Sequence, residues 1–261
     1  ALRLPALAAG IILIPAVFLA GRRMSNSTGG LLAACAVTIT PVLVDFSVNA
    51  RGYTLVCLFA ALSFWLALEI VYRSRAIFWI LLVLCSVLGF YTIPIYLYPV
   101  GGIFLWLLSA GLFSARDKSD KKVFFLRWVA AGLFTVGLII LVYSPVILFG
   151  TGFQSIIGHE FIRPEDTNQI LSAITSRSVK VWEFFNSRVP LWITWISVAG
   201  IFFHVVSTVV KIRKSIPFWL ISSVWILLAL ILQRVVAVPR IWLFLLVFYI
   251  LLSVDGWMWL G

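Results

Sequence analysis

Apolar runs of about twenty residues recur along almost the whole chain, separated by short polar stretches. Wound as a helix rising ~1.5 Å per residue, a run of that length crosses the ~30 Å hydrocarbon core of a bilayer. Nine candidates stand at 4–20, 31–48, 54–72, 76–93, 95–113, 126–149, 191–210, 218–233 and 241–254. In lipid every backbone N–H and C=O must be satisfied within the protein, which leaves helices or a closed barrel. The alternating segments of ~10 residues that mark a membrane barrel are absent. The pattern predicts an all-α, polytopic membrane bundle of about nine transmembrane helices. Six spans fall in 1–149, an external loop with an interfacial helix in 150–190, and three spans in 191–261.

Composition closes off the alternatives. The chain is 63% hydrophobic and 11% charged, whereas a soluble domain carries ~45–50% apolar and ~25% charged residues. Disorder requires the opposite balance. The net charge of +11 would suggest nucleic acid in a soluble protein. In a membrane protein basic residues report topology, and no nucleic-acid partner is expected.

Twelve of the 20 basic residues fall in alternate connections, around 21–30, 73–75, 114–125 and 211–217, with Arg127 just beyond the third. The positive-inside rule makes these cytoplasmic. Residues 49–53, 94–99, 150–190 and 234–240 then lie outside, as does Ala1, so an odd number of spans is expected to precede it. The chain opens on Ala1 and closes at Gly261, which reads as a piece of a longer membrane protein.

Residues 150–190 form the one long connection, and such loops are usually functional. Asp166 and Gln169 resemble a helix capping box. Ile170, Ile174, Val181, Trp182 and Phe185 share roughly one helical stripe, so Asp166 to Arg188 reads as one or two amphipathic helices lying along the membrane surface. It is either an interfacial packing helix or a lid over a lipid-linked substrate. His159, Glu160 and Arg163 in the same loop are either a solvated charge run or contacts to an acceptor or sugar.

The sharpest local feature is Asp45-Phe46-Ser47-Val48-Asn49-Ala50-Arg51-Gly52-Tyr53. Arg51 sits where two spans meet with hardly any loop. A charge there is costly unless it is paired or reaches water. It either snorkels to headgroups or grips a phosphate with its planar donor fork. Asp45 reads as its counter-ion or as a cavity-lining residue. Asn49, Tyr53 and Tyr91 are further candidates for that cavity. Tyr91, Tyr96 and Tyr98, around Pro94 and Pro99, read first as an interfacial aromatic belt. Arg240, beside Pro239 at the mouth of a span, is a second phosphate candidate. His204 reads as a packing or interhelical hydrogen-bonding residue, and Asp255 receives no role. Cys35, Cys57 and Cys85 lie inside apolar runs and read as inert thiols. With no CxxC, no HExxH and two histidines, no metal site is expected and no cofactor is assigned. Dependence on a divalent metal is left open.

Arg3-Leu-Pro-Ala-Leu-Ala-Ala-Gly, Gly21-Arg22-Arg23 and Gly29-Gly30-Leu31-Leu32-Ala33-Ala34 resemble the early membrane part of bacterial family 39-type glycosyltransferases. These are relatives of the dolichyl-phosphate-mannose protein mannosyltransferases and have the C-type membrane glycosyltransferase fold. That family's Arg-Glu-Ala-Arg-(Pro/Gly)-Tyr-like motif resembles Val48-Asn49-Ala50-Arg51-Gly52-Tyr53 here, with Asn49 in the place of its acid. Pro239-Arg240 resembles a Pro-Arg-Tyr-like element, with Ile241 in the place of Tyr. Ile93 stands where a His often follows Tyr-Thr.

The resemblance implies transfer of a sugar, with inversion, from a polyprenyl-phosphate donor to a lipid, glycan or protein acceptor. It places the reaction on the outer face of a bacterial cytoplasmic membrane. Arg51 and Arg240 would hold the donor phosphate, and membrane lipids are the other partners. The family's catalytic acid lies in the first external loop, so the general base is expected upstream of Ala1 and this piece is expected to be inactive alone. The competing class is a transporter or flippase subunit, whose marks would be midplane acids, broken helices or inverted repeats. Neither a clear repeat nor a midplane acid is visible.

Overall fold

The computed structural model describes residues 3–49, 51–114, 118–149, 170–211, 216–234 and 238–260, and among these there is no strand. The helices are α1 (Leu4–Met24), α2 (Ser27–Ile39), α3 (Pro41–Ser47), α4 (Tyr53–Arg73) and α5 (Ala76–Thr92). A 3-10 turn at Pro94–Tyr96 runs into α6 (Leu97–Ser114), followed by α7 (Lys118–Phe149), α8 (Ile170–Asn186), α9 (Leu191–Lys211) and α10 (Phe218–Gln233). A second 3-10 turn, Pro239–Trp242, leads into α11 (Leu243–Leu260).

Among the described residues six segments are long and apolar enough to cross a membrane: Leu4–Met24, Tyr53–Arg73, Pro94–Phe113, Ser119–Val146, Leu191–Val210 and Pro239–Leu260. α5 and α10 are shorter, at 17 and 16 residues. The continuous helix expected over 31–48 is corrected to two, α2 and α3, which meet at 66°. Pro41 supplies no N–H to the preceding turn, and proline disfavours the helical region for the residue before it. Thr40 accordingly sits at φ −73°, ψ 112°. Its hydroxyl donates back to the Ala36 carbonyl at 2.6 Å, which caps the broken end.

Large apolar side chains face outward along whole helices; Leu133, Phe134, Ile140 and Leu141 of α7 are all exposed. An apolar exterior on this scale is incompatible with water and marks an integral membrane protein. Without a hydrophobic force between helices in lipid, small residues must let backbones approach. A Cβ on Gly30 would stand 2.6 Å from the Phe18 carbonyl oxygen, so this glycine permits the α1–α2 contact. Gly256 packs directly on the Gly200 backbone where α9 crosses α11. At the centre Phe64 meets Phe218 at 4.5 Å and Phe248 at 5.4 Å, tying α4, α10 and α11 together.

Polar contacts separate the two ends of the bundle. At one end Arg23 pairs with Glu69 at 3.2 Å and lies over the Tyr72 ring, and Arg73 approaches the same carboxylate at 3.7 Å. Arg127 reaches the α4–α5 turn at this end, donating to the Ser74 carbonyl at 2.7 Å. Asp255 accepts from Ser25 at 2.6 Å and contacts His204 Nδ1 at 2.7 Å, joining the α1–α2 turn, α9 and α11. His204 is therefore interhelical, as its sequence position suggests, and Asp255 is the residue that links it. The opposite end carries α3, the turn into α4, the α5–α6 turn, α8 and the Pro239–Trp242 turn.

Candidate functional site

The opposite end gathers most of the residues that the sequence singles out. The bend at Pro41 turns α3 aside and places Asp45 and Phe46 on the end of the bundle. Asp45 bonds Arg188 Nη1 at 2.6 Å. The expectation that Arg51 is its counter-ion is corrected: the partner lies 143 positions away, in the α8–α9 turn. Side-chain exposures of 47% and 65% make this a surface pair, worth ~0–1 kcal/mol. Its effect is positional, fastening the end of α8 to α3. Phe46 reinforces the junction, meeting Tyr53 edge-on at 5.6 Å and Phe184 at 6.0 Å.

Arg51 is exposed in the turn between α3 and α4. Its backbone N–H donates to the Asn49 carbonyl at 2.7 Å. Its guanidinium has no partner among the described residues, although Arg188 nearby in the fold is paired. Gly52 follows at φ −69°, so conformation does not require glycine there. Space does, because a Cβ would stand 2.6 Å from Thr92 Cγ2. The Arg51 turn is thus pressed against the end of α5. Tyr53 is half-buried, while Asn49 and Tyr91 are exposed. Next to Tyr91, Tyr143 of α7 donates to the Phe90 carbonyl at 2.7 Å.

The aromatic belt expected of Tyr96 and Tyr98 is corrected, since they are 0% and 4% exposed. Tyr96 and Ser63 share a buried hydrogen bond of 2.8 Å, and Tyr98 donates to Gln233 Oε1 at 2.8 Å. These are core tyrosines with polar handles, which bind the α5–α6 turn to α4 and α10. Only Tyr91 of the three faces outward. Tyr98 also packs on Trp242 at 5.0 Å, which fixes the Pro239–Trp242 turn. Arg240 in that turn is half-buried, and its Nε is sealed from water without a hydrogen-bond partner.

α8 covers this end. Of the predicted stripe, Ile174, Val181 and Phe185 turn toward the core, joined by Phe184, whereas Trp182 is exposed like Val179 and Lys180. Trp182 meets the Tyr249 ring at 6.0 Å, seating α8 on α11. A groove opens on either side of the helix. One, of about 260 Å³, runs between the end of α8, the Thr40–Pro41 bend, α9 and α11, with Arg188, Asn186 and Thr194 among its lining residues. The other, of about 380 Å³, lies between α8, α10 and the start of α11; its walls are mostly apolar, with Arg177, Ser178 and Ser223 as the polar groups. Arg177 and Arg188 carry no motif that marks them in the sequence. The capping box at Asp166 and Gln169, together with His159, Glu160 and Arg163, lies outside the described residues.

Among the described residues no group of three or more His, Cys, Asp or Glu side chains could hold a metal ion. Chemically the end offers guanidinium groups, hydroxyls and an amide beside apolar grooves, a combination suited to an amphipathic anion. Compared with protein families, curated proteins and solved structures, the chain matches none.

Proposed function

We propose that the chain is the membrane bundle of a glycosyltransferase that takes its sugar from a polyprenyl-phosphate donor at the α8 end, with that end outside a bacterial cytoplasmic membrane. In this reading the bent pair α2–α3 and the short helices α5 and α10 are also spans. They bring the total to nine in a C-type arrangement, and α8 lies at the interface.

One observation carries the proposal. The two arginines assigned to the donor phosphate by the sequence resemblance, Arg51 and Arg240, stand at the same end without partners among the described residues. A half-buried guanidinium with an unmet N–H is costly, and an anion relieves that cost. A phosphate leaving group bound there would have its developing charge stabilised by fixed positive groups. The grooves flanking α8 give the polyprenyl tail an apolar bed continuous with lipid. The acceptor hydroxyl still requires a general base, which this reading does not assign to a described residue.

The test is binding of a short-chain polyprenyl-phosphate sugar to the purified chain. Arg51→Lys retains charge and membrane compatibility but loses the two-pronged geometry. Loss of a charge-assisted hydrogen bond costs about 1.5–3 kcal/mol, so Arg51→Lys and Arg51→Ala should both bind about tenfold or more weakly. Wild-type affinity in both would reduce Arg51 to a headgroup anchor.

The break at Thr40–Pro41 favours a second reading, since broken spans are a mark of transporters. In that case reconstituted protein should move a fluorescent polyprenyl-phosphate sugar between leaflets. A transferase requires no such movement.

A further inference from the structure

The end of the bundle remote from α8 has a cavity and a groove that share one arginine. The cavity, of about 450 Å³, is walled by the α4–α5 turn, Gly111 of α6 and the first turns of α7, with Arg73, Ser74, Asp120 and Arg127 as its polar groups. The groove, of about 410 Å³, runs between α5 and α7, and Arg127 is the one charged residue on its otherwise apolar wall. Phe124 lines the cavity and Trp79 lines the groove; their rings meet edge-on at 5.3 Å and form the partition between them.

We propose that this pair of spaces is a seat for one anionic phospholipid. The headgroup phosphate sits at Arg127 and Arg73, and one acyl chain lies between α5 and α7. Dimensions, charge and geometry each support this.

The groove extends along α7 from Arg127 to Leu138. Eleven residues at ~1.5 Å each span about 16 Å. One leaflet of a ~30 Å hydrocarbon core is about 15 Å deep, so the groove matches the reach of a single acyl chain and begins at the depth of a headgroup. Ala76, Ala130 and Ala131 leave its floor low enough for a chain to lie in it.

Among the described residues the charge at this end of the bundle is one-sided. Arg23, Arg73, Arg75, Lys121, Lys122 and Arg127 stand against Glu69 and Asp120, and Glu69 is already shared by Arg23 and Arg73. A zwitterionic headgroup brings its own cation into this field; an anionic one does not.

Arg127 is held in place for the task. Ser74 ends α4 in the left-handed region at φ 46°, and its carbonyl accepts from Arg127 Nη1 at 2.7 Å, with Oγ at 3.3 Å. Nε and Nη2 make no hydrogen bond among the described residues. A guanidinium anchored by one nitrogen, with the others free, suits two-pronged binding of a phosphate. The inference concerns the end opposite the candidate donor site and does not depend on the proposed transferase reaction.

Native mass spectrometry of the delipidated full chain tests it, with phosphatidylglycerol, phosphatidylcholine and glycerol 3-phosphate as probes. One phosphatidylglycerol should be retained with about tenfold preference over phosphatidylcholine, the size of one good charge-assisted contact. Glycerol 3-phosphate should not be retained, because the groove holds the chain. Arg127→Gln should abolish the preference and Arg127→Lys should keep part of it. Ala131→Phe, which fills the groove, should weaken both lipids alike, with thermal melts run to establish that each variant is folded. Equal retention of the two lipids by the wild-type chain overturns the proposal without recourse to any variant. So does undiminished preference in folded Arg127→Gln, or retention of glycerol 3-phosphate as strong as that of the lipid. Loss of a dimer in Ala131→Phe, with lipid retention unchanged, would assign the groove to a second copy instead.

Discussion

Two carboxylates show how burial decides the worth of a charge. Asp45 and Arg188 meet in water at the α8 end, where screening and side-chain entropy offset most of the attraction. A double-mutant cycle on Asp45→Ala and Arg188→Ala, read by thermal melts in detergent, should give a coupling of about 1 kcal/mol or less. Asp255 is mostly enclosed and serves both Ser25 and His204. Its removal strands the buried His204 and takes a partner from the half-buried Ser25, so Asp255→Ala should cost about 1–3 kcal/mol. A smaller loss than that for Asp45→Ala would contradict this ordering. The sequence revealed Asp45 as unusual because an acid in an apolar run is rare. It could not reveal the partner, because Arg188 is adjacent only through the docking of α8 on α3. Asp255 was unreadable for a similar reason, since Ser25 and His204 lie in distant parts of the chain. Tyr96 and Tyr98 were misread because a tyrosine near a span end has the same local signature whether it faces headgroups or a Ser63 or Gln233 in the core.

At the scale of elements, one helix stands over each apolar run except 31–48, and six described segments are long and apolar enough to cross a membrane, a property that local sequence alone reveals. The runs failed at the interruption. Averaged hydropathy runs smoothly through Thr40–Pro41, although the proline that breaks the span is visible in the sequence and has a known effect on the residue before it. Glycines mark where helices touch rather than where they end. Gly200 and Gly256 lie on α9 and α11, and each leaves room for the other's backbone. Gly256→Leu should force these helices apart and cost at least about 1–3 kcal/mol, the usual penalty of overpacking. Gly132 of α7, with open space around its Cβ position, is the control. Gly132→Ala should melt at or slightly above the wild-type temperature, since alanine is the better helix former. Equal losses at both positions would mean that close packing at Gly256 does not set the requirement.

For the whole molecule, the two ends differ in chemistry. One carries the Arg23–Glu69–Arg73 and Asp255–His204 clusters together with most of the basic connections. The other carries the Arg51 turn, Arg240 and the α8 grooves. The alternation of basic loops implied this sorting, and the contacts of Arg23, Arg127 and Asp255 bring several of those connections to one end. In the proposed orientation the α8 end faces out of the cell, where it meets a lipid-linked donor, and the basic end faces the cytoplasm. Labelling in intact cells tests it most directly. In a background with Cys35, Cys57 and Cys85 replaced, a single cysteine is placed by Lys180→Cys on the exposed side of α8 or by Lys121→Cys at the start of α7. A membrane-impermeant thiol reagent added outside should label position 180 and leave position 121 unlabelled until the cells are permeabilised. Labelling of position 121 but not 180 in intact cells would invert the bundle and contradict the account.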